Sequence, residues 1–147
     1  MIYLAEQAPP RLYTALSQFL VEVLARDSAD QLSFTKVKEL LDLSPLTIGD
    51  VTPYILESSS SYTRNRILRG VNFELLVLTW LSGQRSPIHD HADSVCGIKV
   101  LEGEAHEVRY ASSAQTGLRP IGEDHFVCGQ TTCSFGDDIH YVENRGP

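Results

Sequence analysis

Cysteine is scarce and unpatterned in this chain: there are three, with no CxxC or other paired spacing. That excludes a disulfide framework and suits a reducing cytosol. Basic charge is short as well. Twelve Lys and Arg stand against nineteen Asp and Glu, a net charge of −7, and no Lys/Arg cluster interrupts the balance. Nucleic acid and anionic membrane both reward a basic face and are therefore excluded as main partners. No apolar run approaches the roughly 20 residues needed to cross a bilayer, and the N-terminal MIYLAEQAPPRLY lacks a basic stretch leading into an apolar one. Internal repeats, linkers and low-complexity segments are missing too. What remains is an ordinary globular composition over 147 residues, enough for one core but not two. The expectation is a single cytoplasmic domain over 1–147, monomeric, with a small molecule as its partner.

The hydrophobic period changes along the chain. From Pro9 to Arg26, Leu12, Leu16, Phe19, Leu20, Val23 and Leu24 recur at three- and four-residue steps, which predicts an amphipathic helix. Ser33 or Thr35 is placed to cap a second helix through Leu41 or Leu43, ended by Ser44-Pro45, and a short helical turn is expected from Thr47 or Asp50 to Pro53. Residues 1–60 thus read as helical. Residues 61–147 read as strands: the apolar run Phe73 to Trp80, an alternating half-exposed strand Glu104 to Tyr110, and short strands near Leu118 to Ile121, Asp124 to Cys128 and Thr131 to Phe135. Many short strands after a helical prelude predict an all-β barrel or jelly roll with N-terminal helices packed outside.

The chemistry concentrates in Gly83 to Gly103, GQRSPIHDHADSVCGIKVLEG. In an extended strand His89 and His91, two apart, present both imidazoles on one face at a spacing that reaches one metal ion. Asp93-Ser94 then turns the chain, so that a following strand would point Cys96 back toward the histidines in a hairpin. Two histidines hold an exchangeable metal weakly, whereas three with open positions make a catalytic centre. His140, four residues before Asn144, leads as the third ligand, with His106 and His125 as rivals that read instead as surface or packing residues. Cys128 and Cys133 read as small buried hydrophobes.

The pattern Gly83-x5-His89-x-His91-x4-Cys96-x6-Gly103, followed by His140-x3-Asn144, resembles the two signature motifs of the cupin barrel superfamily. Cys96 stands where most metal-binding cupins carry a Glu. With His89-Asp-His91-Ala-Asp-Ser-x-Cys96, His140-Tyr-Val-Glu-Asn144 and Tyr62-Thr-Arg64-Asn65, the sequence is similar to the thiol dioxygenase branch, specifically cysteine dioxygenase. The resemblance covers about Tyr62 to Gly146. Past its His-x3-Asn motif that family continues into a strand bearing Ser-x-His-x-Tyr, whereas this sequence stops at Arg145-Gly146-Pro147, so the barrel is expected to lack the family's last strand.

The resemblance implies Fe(II) held by His89, His91 and His140, and oxidation of the L-cysteine thiol by O2 to cysteine sulfinate. Three neutral imidazoles leave the charge of the ion uncompensated and favour an anionic ligand such as a thiolate. Ligand spacing alone leaves Zn2+ open; the case for iron is the resemblance. By the same match Arg64 binds the substrate carboxylate, for which a guanidinium is suited, and Tyr62 lines the pocket. Some members join a cysteine at the position of Cys96 to a C-terminal tyrosine by a thioether that tunes the site. No tyrosine here occupies the matching place, and the crosslink is not assigned. The alternatives are a dioxygenase of 3-mercaptopropionate or another thiol, a branch that typically lacks an arginine where Arg64 stands; a non-catalytic metal-binding cupin; and a zinc cupin of hydrolase or isomerase type.

Overall fold

The computed structural model describes residues 3–4, 11–14, 16–17, 21, 33–70 and 72–147. The helix expected over 9–26 falls largely outside these; of it, residues 11–14, 16–17 and 21 are helical. Helix α1, Phe34–Leu43, begins where the sequence predicts, with Ser33 as N-cap accepting a hydrogen bond from the Lys36 amide at 3.3 Å. A single helical turn, α2 (Ile48–Val51), carries a reciprocal cap between Thr47 and Asp50 and runs into a 3-10 turn, Thr52–Tyr54.

The rest is antiparallel sheet. β1 (Tyr3–Leu4), β2 (Thr63–Arg69) and β3 (Glu74–Thr79) form one sheet; β4 (Val95–Lys99) pairs with β7 (Thr131–Phe135); β5 (Glu104–Ser113) lies between β6 (Gly117–Val127) and β8 (Ile139–Glu143). This is the all-β cupin architecture that the motifs imply. Two details differ from the sequence reading. The short strands expected at Leu118 to Ile121 and Asp124 to Cys128 are one long strand, β6, because pairing with β5 continues past Gly122 and Pro120 through a bulge at Arg109/Tyr110. The hairpin expected within Gly83 to Gly103 does not form. The segment before Asp93 pairs with β8 through bridges at Arg85↔Glu143 and His89↔His140, while β4 pairs with β7. A turn at Asp93-Ser94 permits either partner, and local sequence does not choose between them.

Two packed regions hold this frame. Leu12, Leu16, Val51, Tyr54, Ile67 and Leu68 form a buried cluster that joins the N-terminal helical residues to the β1-β2-β3 sheet. At each fully buried aliphatic side chain of this kind, burial contributes roughly 1.5–3 kcal/mol. On the other side α1 lies directly over β4 and β7. A Cβ at Gly97 would come within 2.6 Å of Leu41 Cδ1 and 2.7 Å of Val37 Cγ1, so glycine is what allows the helix this approach. Among the described residues no helix is long and apolar enough to cross a membrane.

Candidate metal centre

Backbone pairing brings the histidines together. The His89 amide donates to the His140 carbonyl and the His140 amide to the His89 carbonyl, both at 2.9 Å. Residues paired in this way across an antiparallel ladder point their side chains to the same face. His91 arrives by a turn rather than by the strand alternation expected from sequence. Its amide donates to the Gly136 carbonyl at 2.9 Å, and its carbonyl accepts from the Ser94 amide and hydroxyl. The turn passes through Ala92 at φ 49°, in the left-handed region. Gly83 and Gly103, which frame the motif, also have positive φ, at 77° and 68°, and a Cβ at either would meet nothing; backbone conformation, not space, requires them. Asn144 secures the same end of the segment, its side-chain amide donating to the Trp80 carbonyl at 3.0 Å.

The three imidazoles converge. Their ligand atoms lie within 4.8 Å of one another, and His91 Nε2 is 2.9 Å from His140 Nε2. Metal–nitrogen bonds near 2.1 Å at right angles place neighbouring ligand atoms about 3 Å apart, so this pair already has the spacing of two ligands on one ion. Tautomers are set from outside the cluster. His89 Nδ1 faces the Pro87 carbonyl at 2.9 Å, and His140 Nδ1 contacts the Glu107 carboxylate. Each of these Nδ1 atoms therefore carries the proton and leaves Nε2 as the bare donor. Burial, and after it the two neighbouring imidazoles, pushes His91 below the usual histidine range. The donor set fits a divalent transition metal with open positions.

Sequence reasoning missed Glu107. Its alternation with His106 placed it on a half-exposed strand, yet it is 4% exposed, beside His140 at 2%. A buried carboxylate needs partners, and Glu107 has two: His140, and the Thr132 hydroxyl, which donates at 3.0 Å. Ser134 Oγ lies 3.5 Å from His140 Nδ1. Nothing in the local pattern separates Glu107 from the exposed Arg109 two residues on; only its partners, His140 of the neighbouring β8 and Thr132 of β7, do. Glu107→Gln is expected to weaken metal binding roughly ten- to a hundredfold, measured as the ferrous dissociation constant, with the fold retained by circular dichroism.

Of the other site residues, Cys96 sits opposite Ser134 in the β4/β7 register. It therefore shares the interior face with Ser134 and Thr132, while Gly97 and Cys133 face α1. Burial raises the Cys96 thiol pKa, and the Arg64 guanidinium partly offsets this; Arg64 itself, on β2, is exposed. Arg66 and Arg69 both pair with Glu74. The Arg64 side chain has no ion pair or hydrogen bond among the described residues, while its backbone lies opposite Leu78 of β3. Tyr62 stacks on Trp80, ring centroids 5.3 Å apart and nearly parallel at 8°. Cys133 is half-buried, its thiol pushed up to about 11 by burial and then by Cys96. Cys128 departs from its expected burial: it is exposed, its thiol donating to the Leu101 carbonyl at 3.1 Å.

Known proteins resemble this chain over most of its length. The family described as Cysteine dioxygenase type I matches residues 2–146. Cysteine dioxygenase type 1 of Danio rerio is 30% identical over 123 residues, which cover 79% of this chain and 60% of that protein. The Bos taurus and Homo sapiens proteins of the same name are 28% and 27% identical over 143 residues, 95% of this chain and 70% of theirs. The chain thus spans 60% to 70% of the length of these relatives.

Proposed function

Because the chain belongs to the cysteine dioxygenase type I family, we propose that it oxidises the thiol of L-cysteine with O2 to cysteine sulfinate, using Fe(II) held by His89, His91 and His140. The observation that carries this reading is the convergence of three imidazoles, two with their Nδ1 atoms already engaged, on one point. A ferrous ion in such a site supplies the means to bind a thiolate at neutral pH and to activate O2 beside it. The reaction balances without a reductant: both oxygen atoms end on sulfur, which loses four electrons as O2 gains four.

The remaining work falls to the protein. Glu107 holds His140 in one orientation and tautomer, and Thr132 holds Glu107. Arg64, uncommitted to any acidic residue described, is assigned the substrate carboxylate. Tyr62, fixed by Trp80, lines the approach immediately before the strand that carries Arg64. Cys96 narrows the interior with a thiol that burial keeps protonated, so it does not compete with substrate as a thiolate. The unpatterned cysteines and acidic charge support a cytoplasmic, monomeric protein.

Iron-loaded protein with excess L-cysteine should consume one O2 for each cysteine sulfinate formed. Uptake no greater than that of a His140→Ala control would make the chain a metal-binding cupin without this activity. Turnover of 3-mercaptopropionate at or above that of cysteine would reassign the substrate, and zinc in protein made without added metal would reassign the ion.

A further inference from the structure

We propose that the outer face of the β5/β6 ladder carries a second metal site, separate from the histidine trio, in which Glu104, His106 and His125 bind one divalent ion of the zinc and copper class. Side chains alternate along a strand. Since Glu107 faces the interior with His140, Glu104 and His106 project from the opposite side of β5. His125 is directly opposite His106 in the register and shares that side. One ligand atom from each of the three lies within 4.8 Å of the others.

The hydrogen-bonding pattern asks for a cation here. His106 Nε2 is 3.4 Å and His125 Nε2 is 2.9 Å from the two oxygens of the same Glu104 carboxylate. His106 Nδ1 is buried without a hydrogen-bond partner among the described residues, and what it faces at 3.6 Å is another carboxylate, Glu123. Both nitrogens of this imidazole therefore look at acceptors, while the neutral ring has one proton. Either a second proton or a metal ion resolves this. A second proton would engage His106 alone, whereas His125 turns its own Nε2 to the other oxygen of the same carboxylate and stacks its ring on His106 at 4.3 Å and 11°, so two imidazole nitrogens and one carboxylate lie together. One ion on both Nε2 atoms and a Glu104 oxygen, reached by tilting the exposed His125 ring out of parallel so that the two lone pairs converge, satisfies both rings together, and moves the His106 proton to Nδ1, where Glu123 accepts it in the usual carboxylate–histidine–metal relay. Glu123 is itself held by Arg145. Two imidazoles and one carboxylate suit zinc, or copper and nickel, better than calcium or magnesium.

The test is zinc stoichiometry and affinity, by titration calorimetry, in the wild-type chain and in His91→Ala, His125→Ala and Glu104→Gln variants. His125 is 47% exposed in its side chain, so its replacement leaves packing intact. The expected result is two Zn2+ per wild-type chain and one in each of His91→Ala and His125→Ala, with the second site more than about tenfold weaker in Glu104→Gln. Equal zinc content in wild-type protein and His125→Ala overturns the proposal and leaves the histidine trio untouched. A single ion that survives in His91→Ala and disappears in His125→Ala upholds the outer site and counts against the trio as a metal centre. A second proton on His106 in place of a metal would show as no zinc bound by His91→Ala and overturns the proposal.

Discussion

Replacing His140 with alanine is expected to reduce ferrous affinity by at least about a hundredfold, since disturbing a mere supporting partner of a ligand already costs up to that much, and to lower cysteine oxidation to background. Two consequences separate within this variant. The missing ligand removes the metal, and the missing imidazole strands the buried Glu107 carboxylate, for which an unsatisfied group costs on the order of 1–3 kcal/mol or more. His140→Ala should therefore also melt earlier. His91→Ala lacks the second effect, because the bond that fixes a tautomer from a buried carboxylate belongs to His140. Iron content by metal analysis, beside melting temperature, distinguishes the two: equal metal loss in both variants, with a stability loss confined to His140→Ala. Full iron retention by either would remove that imidazole from the coordination sphere.

The second large effect concerns Arg64. Hydrogen bonds to a charged partner contribute about 1.5–3 kcal/mol, so Arg64→Ala should raise the KM for L-cysteine roughly ten- to a hundredfold. Arg64→Lys should recover part of this, since an ammonium keeps the charge but not the two parallel donors. Cysteamine, a thiol and amine without a carboxylate, provides the control. Its turnover should be the same in the wild-type and Arg64→Ala proteins. A variant that loses both substrates equally would place Arg64 in the structure of β2 instead of in substrate recognition.

The sequence made the architecture and the ligand candidates legible for a specific reason. Gly83 and Gly103 occupy left-handed turns, a backbone demand that only certain residues meet, and such demands leave a readable mark. Ser33 and the Thr47-Asp50 pair mark helix starts in the same way. Pairing choices leave no such mark. Whether the segment through His89 folds against β4 or β8 depends on residues fifty positions away, and the hairpin expected from Asp93-Ser94 was the simpler local answer. Glu107 was hidden for a related reason: strand alternation reports which residues share a face, and the barrel then decides which face is inside. His106 and His125 lie in the same alternating stretches, and their stacking is a property of the β5/β6 register, not of either strand alone.

Gly97 has no reactive atom, yet it bears on the shape of the interior beside the imidazoles from behind. Its neighbour Cys96 turns inward while Gly97 itself meets Val37 and Leu41 across a gap that a single methyl group would overfill. Any larger residue there must displace the ends of Leu41 and Val37, lift the helix, or drive β4 toward the imidazoles, so the room beside them is set partly by how closely a helix can rest on the reverse of the wall. On the proposed reading, attempts to enlarge the interior for bulkier thiols have a handle there, on the face turned away from the imidazoles.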